Sequence, residues 1–499
     1  MSLTKVTYSM IDGPSINVQD FGATGDGVTN DTVSVQAAVA ASEGKILVFP
    51  EGTYIVDNVL LAPKSNSSWF LTPKAKLKNT PEVTYVFIYC ENVVNWNLFG
   101  GGTIENSLVS SATENGYALI IESGCQNITI DNITFDGAMA DCVIIGTAGT
   151  APTNIHINNV VVTNARRNGL AITSGNNIQI TNSTFKNTSH SGYFTIQSGL
   201  DIEPNPATFV SNVLVSGCTF TGNDGCGLSV YGFNGTVGSE VISDISIINN
   251  TFDDNCKYGA SVTSTLKGNL ETVLTSRCSI INNKLINLNK RGGIYCDENR
   301  DTNVQGNSVV GTGVTGITAG NTQLLSGITV IACEFMSVSE NSVKNSNASG
   351  YYIFFNQKCL LANNIADIIL FNGITSQQNV DCNFEQNLFS NIQNIGIFSL
   401  NDNFCDFDYN RVIDNNLAGS VGVVTAGSAI LISLSSTNTP TNIKVIGNTI
   451  RTPNTIPTFP LRISAGVVDA YAATNDFRGT FVNPVTDSGT GTILTGNLT

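Results

Sequence analysis

The sequence predicts an all-β fold, a single-stranded right-handed parallel β-helix, and three observations support this. A short phrase of alternating aliphatic or β-branched residues around Asn recurs at Asn127, Asn154 and Asn177, and the shortest intervals between copies are about 23 residues. Weaker copies of the phrase centre on Asn250, Asn283, Asn307, Asn341, Asn364, Asn387, Asn410 and Asn448. Alternation indicates strands, and a repeat of this length indicates a solenoid whose stacked coils share one core. The third observation is the composition: charged residues make up only 12% of a chain rich in Gly, which suits a solenoid with glycines at its corners.

The N-terminal region predicts a cap for this solenoid. Residues 1–15 are an irregular lead-in, and Thr29 to Asp31 carry a helix-start signal for a helix at 32–41, ended near Gly44. A strand, a Pro50-Glu51-Gly52 turn and a second strand follow. We therefore divide the chain into a lead-in (1–15), a cap with the first strands (16–75), the β-helix (76–450) and C-terminal coils (451–499).

The stretch from Asn17 to Val56 resembles the N-terminal signature of the pectate-lyase-3-like β-helix superfamily. Its core, from Asp20 to Thr32, departs from the usual pattern at Asn30, where the superfamily has Asp. The residues from Thr4 to Gly13 resemble the linker that precedes this signature in bacteriophage tailspikes. The resemblance implies the β-helix fold and, through the tailspikes, a parallel homotrimer. The superfamily includes hydrolases, lyases, epimerases and adhesins, so the signature alone does not give the activity.

A second repeated element is Gly followed by alternating residues, beginning at Gly169, Gly199, Gly227, Gly259 and Gly293. Aligning these glycines predicts one outward face on successive coils, carrying Asp201 and Glu203 on one strand. Insertions of about ten residues follow several of these strands, and loops on a rigid scaffold commonly carry function. We therefore place the candidate site on this face.

Asp201 and Glu203, supplemented by Asp224 one coil on, are the predicted catalytic residues. Glycoside hydrolysis needs one carboxylic acid to protonate the leaving oxygen and one carboxylate to activate water or attack the sugar. We expect Glu203, beside Pro204, to be the general acid, and Asp201 to stay ionised near basic residues. The competing interpretation is that both carboxylates belong to an ordinary solvated strand face.

The predicted substrate-binding residues surround this pair. Tyr231 and Tyr295 offer aromatic faces to sugars, and His190 could orient a carboxylate. The remaining predicted contacts are charged, and simple ion pairing is the alternative for the basic ones: Asp297, Arg167, Lys257 and Arg291. Asp141 is similar to one motif of the polygalacturonases, but the other motifs of that family are absent in register, so it is not assigned to the site.

Composition excludes several classes of function. The net charge of −15 argues against nucleic acid, and no apolar run is long enough to span a membrane. The N-terminus has no signal-peptide pattern, so we expect no general secretory export. Twelve scattered cysteines and two histidines predict buried thiols and neither a metal site nor a cofactor.

These observations predict a phage tailspike that binds and hydrolyses a bacterial capsule or O-chain. It would be made in the host cytoplasm and would act at the cell surface from the virion tail, as a homotrimer joined to other tail proteins. Two alternatives remain. A polysaccharide lyase could use His190, Tyr231, Lys257 or Arg291, and a non-catalytic spike would only bind.

Overall fold

The computed structural model describes most of the 499 residues. The described ranges are 15–80, 86–106, 116–147, 149–189, 197–232, 241–255, 257–264, 275–288, 291–313, 325–415, 428–435, 439–451, 459–478 and 485–498. Contacts divide the chain into two compact units, Met1–Ser246 and Ile247–Thr499. Each unit contains strands of three parallel sheets, which we call sheets 1, 2 and 3 in the order that the chain meets them.

In the first unit each full coil contributes one strand to each sheet. The strands of sheet 1 are Ser15–Asn17, Ile46–Phe49, Ser68–Leu71, Val94–Phe99, Gln126–Asp131, Thr153–Asn158, Gly175–Thr181, Val210–Ser216 and Ile242–Ile248, the last ending at the unit boundary. The strands of sheet 2 are Asp26–Asn30, Gly52–Val56, Ala75–Asn79, Thr103–Asn106, Thr134–Ala138, Val161–Ala165, Thr184–Lys186 and Thr219–Thr221. The strands of sheet 3 are Val86–Cys90, Tyr117–Ile121, Val143–Ile145, Leu170–Ile172, Leu200–Ile202 and Leu228–Gly232.

The second unit repeats this arrangement. Sheet 1 contains Thr275–Ser276, Ser279–Ile281, Asn303–Gln305, Ser337–Ser339, Leu360–Ala362, Asn383–Glu385, Asp406–Asp408, Lys444–Ile446, Tyr471–Ala473 and Ile493–Thr495. Sheet 2 contains Thr251–Asp253, Lys284–Leu288, Ser308–Thr312, Ser342–Ser346, Ile365–Ile369, Leu388–Ile392, Arg411–Asn415 and Thr449–Arg451. Sheet 3 contains Ala260–Ser264, Ile294–Asp297, Ile328–Ile331, Tyr351–Phe354, Ile374–Gln377, Ile397–Leu400, Ser428–Ser433, Phe459–Ile463 and Thr486–Asp487.

The stacked parallel strands confirm the predicted parallel β-helix. Strands that the Asn repeat and the Gly-led repeat predict are present, and strands continue through the C-terminal segment. Residue-by-residue parallel register fixes the stacking, for example Leu170 with Leu200 and Leu200 with Leu228. The glycines that open sheet 3 strands are required sterically, since a Cβ at Gly199 would lie 2.7 Å from the carbonyl oxygen of Gly227.

The predicted N-terminal helix spans Thr32–Ala40 and buries Val35, Ala38 and Val39. Asp31 at its start accepts hydrogen bonds from the backbone N–H groups of Thr24 (2.6 Å) and Gly25 (3.1 Å). This carboxylate thus holds the turn that precedes the helix. The role of the helix as a cap on the solenoid end stays a prediction, as do the domain boundaries at 15, 75 and 450.

The recurring asparagines occupy two neighbouring positions in the coil. In the first unit, Asn127, Asn154 and Asn177 adopt positive φ at the start of sheet 1, and their side chains bond from coil to coil at 2.7–2.9 Å. In the second unit the repeat marks buried side chains that open sheet 2. Each of these donates to the next, as Asn341 does to Asn364 and Asn364 to Asn387, both at 3.0 Å. We call this second set the buried Asn ladder, which contains Asn250, Asn283, Asn307, Asn341, Asn364, Asn387, Asn410, Asn448 and Asn475.

The cysteines are packing residues. Eleven of them fall in the described part of the chain, and all eleven are buried free thiols, as the sequence predicts. The twelfth, Cys256, lies outside the described residues. Within the described ranges, no helix has the length and apolar character needed to cross a membrane.

Candidate functional site

The candidate site of the first unit is built on three successive strands of sheet 3. In the register of Val143–Ile145, Leu170–Ile172 and Leu200–Ile202, Asp201 stands beside Ala171, which stands beside Ile144. This outward row is itself covered, because Ile120, Ile144 and Ala171 are buried and form an apolar cluster. Asp201 therefore points away from the solenoid core and yet is only 2% exposed.

The expectation that Asp201 faces solvent is wrong, because the residue is buried, and its ionisation stays a prediction. Burial raises the pKa of Asp201 to about 7, and the negative charge of Glu203 acts in the same direction. Arg167 lowers this pKa and Asp141 raises it, while a hydrogen bond from Ser229 lowers it. The physical reason for the error is that alternation gives the direction of a side chain but not what lies over it.

Arg167 connects the acidic groups. Its Nη1 lies 3.3 Å from Oδ2 of Asp141, and its Nη2 lies 4.0 Å from Oε2 of Glu203. Asp141 is buried, whereas the side chain of Glu203 keeps 25% of its exposure. The structure thus gives Glu203 access to solvent and an adjacent cation, which is the environment that we expected for Asp201.

Asn168 fixes the hydrogen bonding of Asp201. The side-chain oxygen of Asn168 accepts from the backbone N–H of Ser198 at 2.9 Å, so its amide nitrogen is directed to Oδ2 of Asp201, at 3.3 Å. The backbone N–H of Asn168 donates to Oδ1 of Asp141 at 2.9 Å. Oδ1 of Asp201 is buried. The amide of Asn168 thus holds Oδ2 as a hydrogen-bond acceptor.

Asp141 is the site residue that the sequence prediction left out. The register places it two residues before Val143, the coil position that Asn168 and Ser198 hold before Leu170 and Leu200. Extending the alignment of the Gly-led strands one coil earlier would have brought Asp141 beside Arg167. That coil has Asp141-Cys142 in place of the opening Gly, so an alignment based on the glycines did not include it.

The other predicted residues of the first unit lie around this cluster. Tyr231 follows Val230, the partner of Ile202, and is therefore one coil beyond Glu203. Asp224 is exposed in the turn before Leu228–Gly232. A catalytic role for Asp224 stays a prediction. His190 lies outside the described residues.

The second unit holds a separate group of predicted residues. Oη of Tyr295 donates to Oδ2 of Asp297 at 2.8 Å, and the ring of Tyr295 stacks on Tyr258 with centroids 4.7 Å apart. Burial raises the pKa of Asp297 to about 6, and burial likewise raises the pKa of Tyr295. Lys257 is half-buried and Arg291 is exposed, and their predicted contacts with substrate remain untested.

Neither group has the composition of a metal centre. Across the described ranges, no three His, Cys, Asp or Glu side chains are arranged to hold a metal ion. The cluster in the first unit instead combines a buried carboxyl with a raised pKa, a partly exposed carboxylate and a guanidinium. That combination is suited to transferring a proton in one step and activating a water in another.

Comparisons with known proteins give three kinds of match. The family model for rhamnogalacturonase A/epimerase, pectate lyase-like, matches residues 15–268. Plasmin and fibronectin-binding protein A of Streptococcus pneumoniae is 27% identical over an alignment of 301 residues that covers 51% of this chain and 39% of that protein. A glucan 1,3-beta-glucosidase of Cochliobolus carbonum is 48% identical over an alignment of 65 residues that covers 12% of this chain and 8% of that protein. The chain thus spans less than two fifths of either curated relative.

Solved structures share the fold at low sequence identity. PfbA, a surface adhesin of Streptococcus pneumoniae, has a TM-score of 0.50 at 15% identity, covering 81% of this chain and 90% of that one. The Dettilon tailspike protein has a TM-score of 0.51 at 15% identity, covering 76% and 68% of the two chains. A mutant tailspike protein of the E. coli bacteriophage HK620, solved with a pentasaccharide, has a TM-score of 0.50 at 11% identity, covering 95% and 78%.

The family model covers half of the chain and includes the signature, the stacked coils and the carboxylate cluster. The chain belongs to the rhamnogalacturonase A/epimerase, pectate lyase-like family.

Proposed function

We propose that this protein is a phage tailspike that binds a bacterial capsule or O-chain polysaccharide and cleaves it by glycoside hydrolysis. The observation that carries the proposal is the raised pKa of buried Asp201 beside Glu203 and Arg167. Two carboxyl groups in different environments are what this reaction requires. The likeness of the fold to tailspikes supports the polymer as substrate.

In this mechanism Asp201 is the general acid and Glu203 the base, the reverse of the roles that the sequence favoured. A pKa of about 7 keeps a large share of Asp201 protonated near neutral pH. Asp201 would give its proton to the leaving glycosidic oxygen after substrate binding displaces the groups that cover it, and Glu203 would take a proton from the attacking water. The hydroxyl of that water bonds to the anomeric carbon as the glycosidic bond breaks. One new chain end is therefore a reducing sugar and the other carries a free hydroxyl.

Arg167 and Asn168 are positioning residues for this pair. Arg167 holds Glu203 and limits the rise of the Asp201 pKa, and Asp141 anchors Arg167 at 3.3 Å. Asn168 orients Asp201 by donating from its side-chain amide to Oδ2 at 3.3 Å. We assign substrate binding to six further residues: Tyr231, Tyr295, Asp297, Lys257, Arg291 and His190. The protein would act from the virion tail at the bacterial surface.

The test is cleavage by two variants that preserve side-chain shape. Asp201→Asn and Glu203→Gln should each lose at least about 10²-fold in the rate of fragment release and should still bind the polysaccharide. A panel of bacterial capsules and O-chains supplies the substrates. Glu51→Gln is the matched control, because Glu51 is exposed and pairs only with Lys74 in the described structure. If both site variants cleave within a few-fold of wild type, the acid–base assignment is wrong.

A binding protein without catalysis is the second candidate, because the S. pneumoniae relative is named for binding plasmin and fibronectin. In that case wild type would bind glycan or protein and release no fragments from any polysaccharide. New absorbance near 235 nm would indicate unsaturated ends, and would replace the hydrolase with a lyase.

A further inference from the structure

The corner between sheets 3 and 1 of the second unit carries large aromatic residues in an unfavourable backbone conformation. Four successive coils form this corner, and we call residues 332–335, 355–358, 378–381 and 401–404 the corner strip. Its coils are in register through successive parallel bridges, in which Glu334 pairs with Gln357, Gln357 with Val380, and Val380 with Asn403. Phe335, Phe355 and Phe404 have φ of +56°, +59° and +53°. Bulky residues rarely adopt this left-handed conformation, because Cβ approaches the following carbonyl oxygen.

Other coils of the unit fill these two positions with small or polar residues. The position of Phe355 is taken by Glu298, Ala332, Gln378 and Asn401, and that of Phe335 and Phe404 by Asp301, Lys358 and Asp381. Folding alone is therefore satisfied by polar side chains at these corners. Unfavourable conformations that persist in a fold tend to mark functional sites.

The aromatic side chains stay accessible. Phe355 is 50% exposed and Phe404 is 56% exposed, and Phe335 and Val380 are also exposed. The ring of Phe355 rests on Phe354 with centroids 4.2 Å apart, which fixes its orientation. One coil spacing is about 4.8 Å, so Phe335 and Phe404, three coils apart, span roughly 15 Å. That length suits an extended chain rather than a single small molecule.

Cationic hydrogen-bond donors lie among the rings. Nζ of Lys358 lies 4.9 Å from the centroid of Phe335, and the guanidinium carbon of Arg300 lies 5.6 Å from it. Arg300 also pairs with Glu334 at 2.8 Å. Lys358 makes no ion pair within the described part of the chain, so its ammonium keeps donors available to a ligand. Exposed ring faces with adjacent donors match a pyranose, which has apolar C–H faces and hydroxyls at its edges.

We propose that the corner strip is a second polysaccharide-binding site, separate from the carboxylate cluster, with Phe355 as its stacking platform. A strand of glycan would run along the coils, with sugar rings on Phe355 and Phe404 and hydroxyls toward Lys358 and Arg300. A second copy of this chain is the disfavoured occupant. The apolar residues are interrupted by Glu334, Lys358 and Asp381, and a stable protein interface commonly covers about 800 Å² per partner with few charges at its centre.

The proposal rests on the proposed function for its ligand, and the test uses Glu203→Gln protein so that the polysaccharide stays intact. Binding to the immobilised capsules and O-chains of the panel is compared for this parent, the parent with Phe355→Asn, and the parent with Tyr409→Asn. Tyr409 is the matched control, since it is 60% exposed with φ of +55° at a different corner.

We expect both Asn substitutions to keep or raise the unfolding temperature, because they relieve the left-handed conformation. Only Phe355→Asn should weaken binding, by about tenfold. Equal binding by all three proteins would overturn the second site and leave the proposed function intact. A fall in native mass on Phe355→Asn would assign the strip to contacts between copies and overturn the proposal. If the parent binds no polysaccharide and wild type cleaves none, both proposals fail.

Discussion

Arg167 lowers the pKa of Asp201, and this leads to a prediction about pH. The guanidinium lowers the pKa of Asp201, which burial and Glu203 have raised to about 7. Because Asp201 must be protonated to act as an acid, activity should fall as pH rises through that pKa. Arg167→Gln removes the cation and should move this fall to higher pH, together with a lower maximal rate.

The measurement is the pH profile of initial cleavage rates for wild type and Arg167→Gln. Arg478→Gln is the control, because Arg478 is exposed and pairs with Asp476 in the second unit, so this substitution should leave the profile unchanged. A fall that moves to lower pH in Arg167→Gln would show that the titrating group is not Asp201.

At this scale the sequence predicted that Arg167 lies near the carboxylates, which the structure shows for Glu203, but it did not predict the burial of Asp201. Alternation places Asp201 and Glu203 on the same side of one strand, and aligned glycines bring Arg167 near them. Which carboxyl is buried depends on residues that cover the outward row, such as Ile144 and Ala171, and no local pattern encodes that cover. Asp141 was missed for a related reason, since its coil lacks the opening glycine.

The buried Asn ladder is the element whose removal should cost the most stability for its size. Asn387 donates to the backbone oxygen of Leu361 and to Oδ1 of Asn410, and accepts from the backbone N–H of Asn364 at 3.0 Å. Asn387→Ala would leave several buried groups unpaired, at about 1–3 kcal/mol for each group that stays unsatisfied. We expect the urea midpoint of unfolding to fall clearly.

Asn383→Ala is the matched control, because Asn383 is an exposed asparagine four residues away in the same coil. It should change the free energy of unfolding by no more than about 0.5 kcal/mol. Similar midpoints for the two variants would mean that the ladder contributes nothing beyond what exposed asparagines do.

The sequence repeat predicted these elements well but merged two kinds of asparagine. Asn182 and Asn249 both have positive φ before sheet 2, and the next residue is buried Ser183 in one case and buried Asn250 in the other. A one-residue offset in a repeat separates an exposed turn position from a buried hydrogen-bonding position. Spacing alone could not distinguish them, because both positions favour Asn.

For the whole molecule, the resemblance to tailspikes predicts a homotrimer. The second unit exposes Ile365 and Ile368 in one strand of sheet 2 and Leu370 directly after it, and neighbouring exposed apolar side chains are typical of surfaces that partners cover. Light scattering at micromolar concentration should give about three times the chain mass of 52.7 kDa. A mass equal to one chain would refute the trimer.

The constant spacing of the buried Asn ladder makes several coils of the second unit equivalent in length and in hydrogen bonding. From Asn341 to Asn364, Asn387 and Asn410 the interval is 23 residues at each link, with the same donors and acceptors. If one of these 23-residue segments were duplicated, the asparagine of the inserted copy would find the same hydrogen-bond partners on the preceding and following coils as the original does. We therefore expect the number of coils in this region to change during evolution by whole 23-residue units. Each added unit would keep the hydrogen bonds of the buried Asn ladder paired.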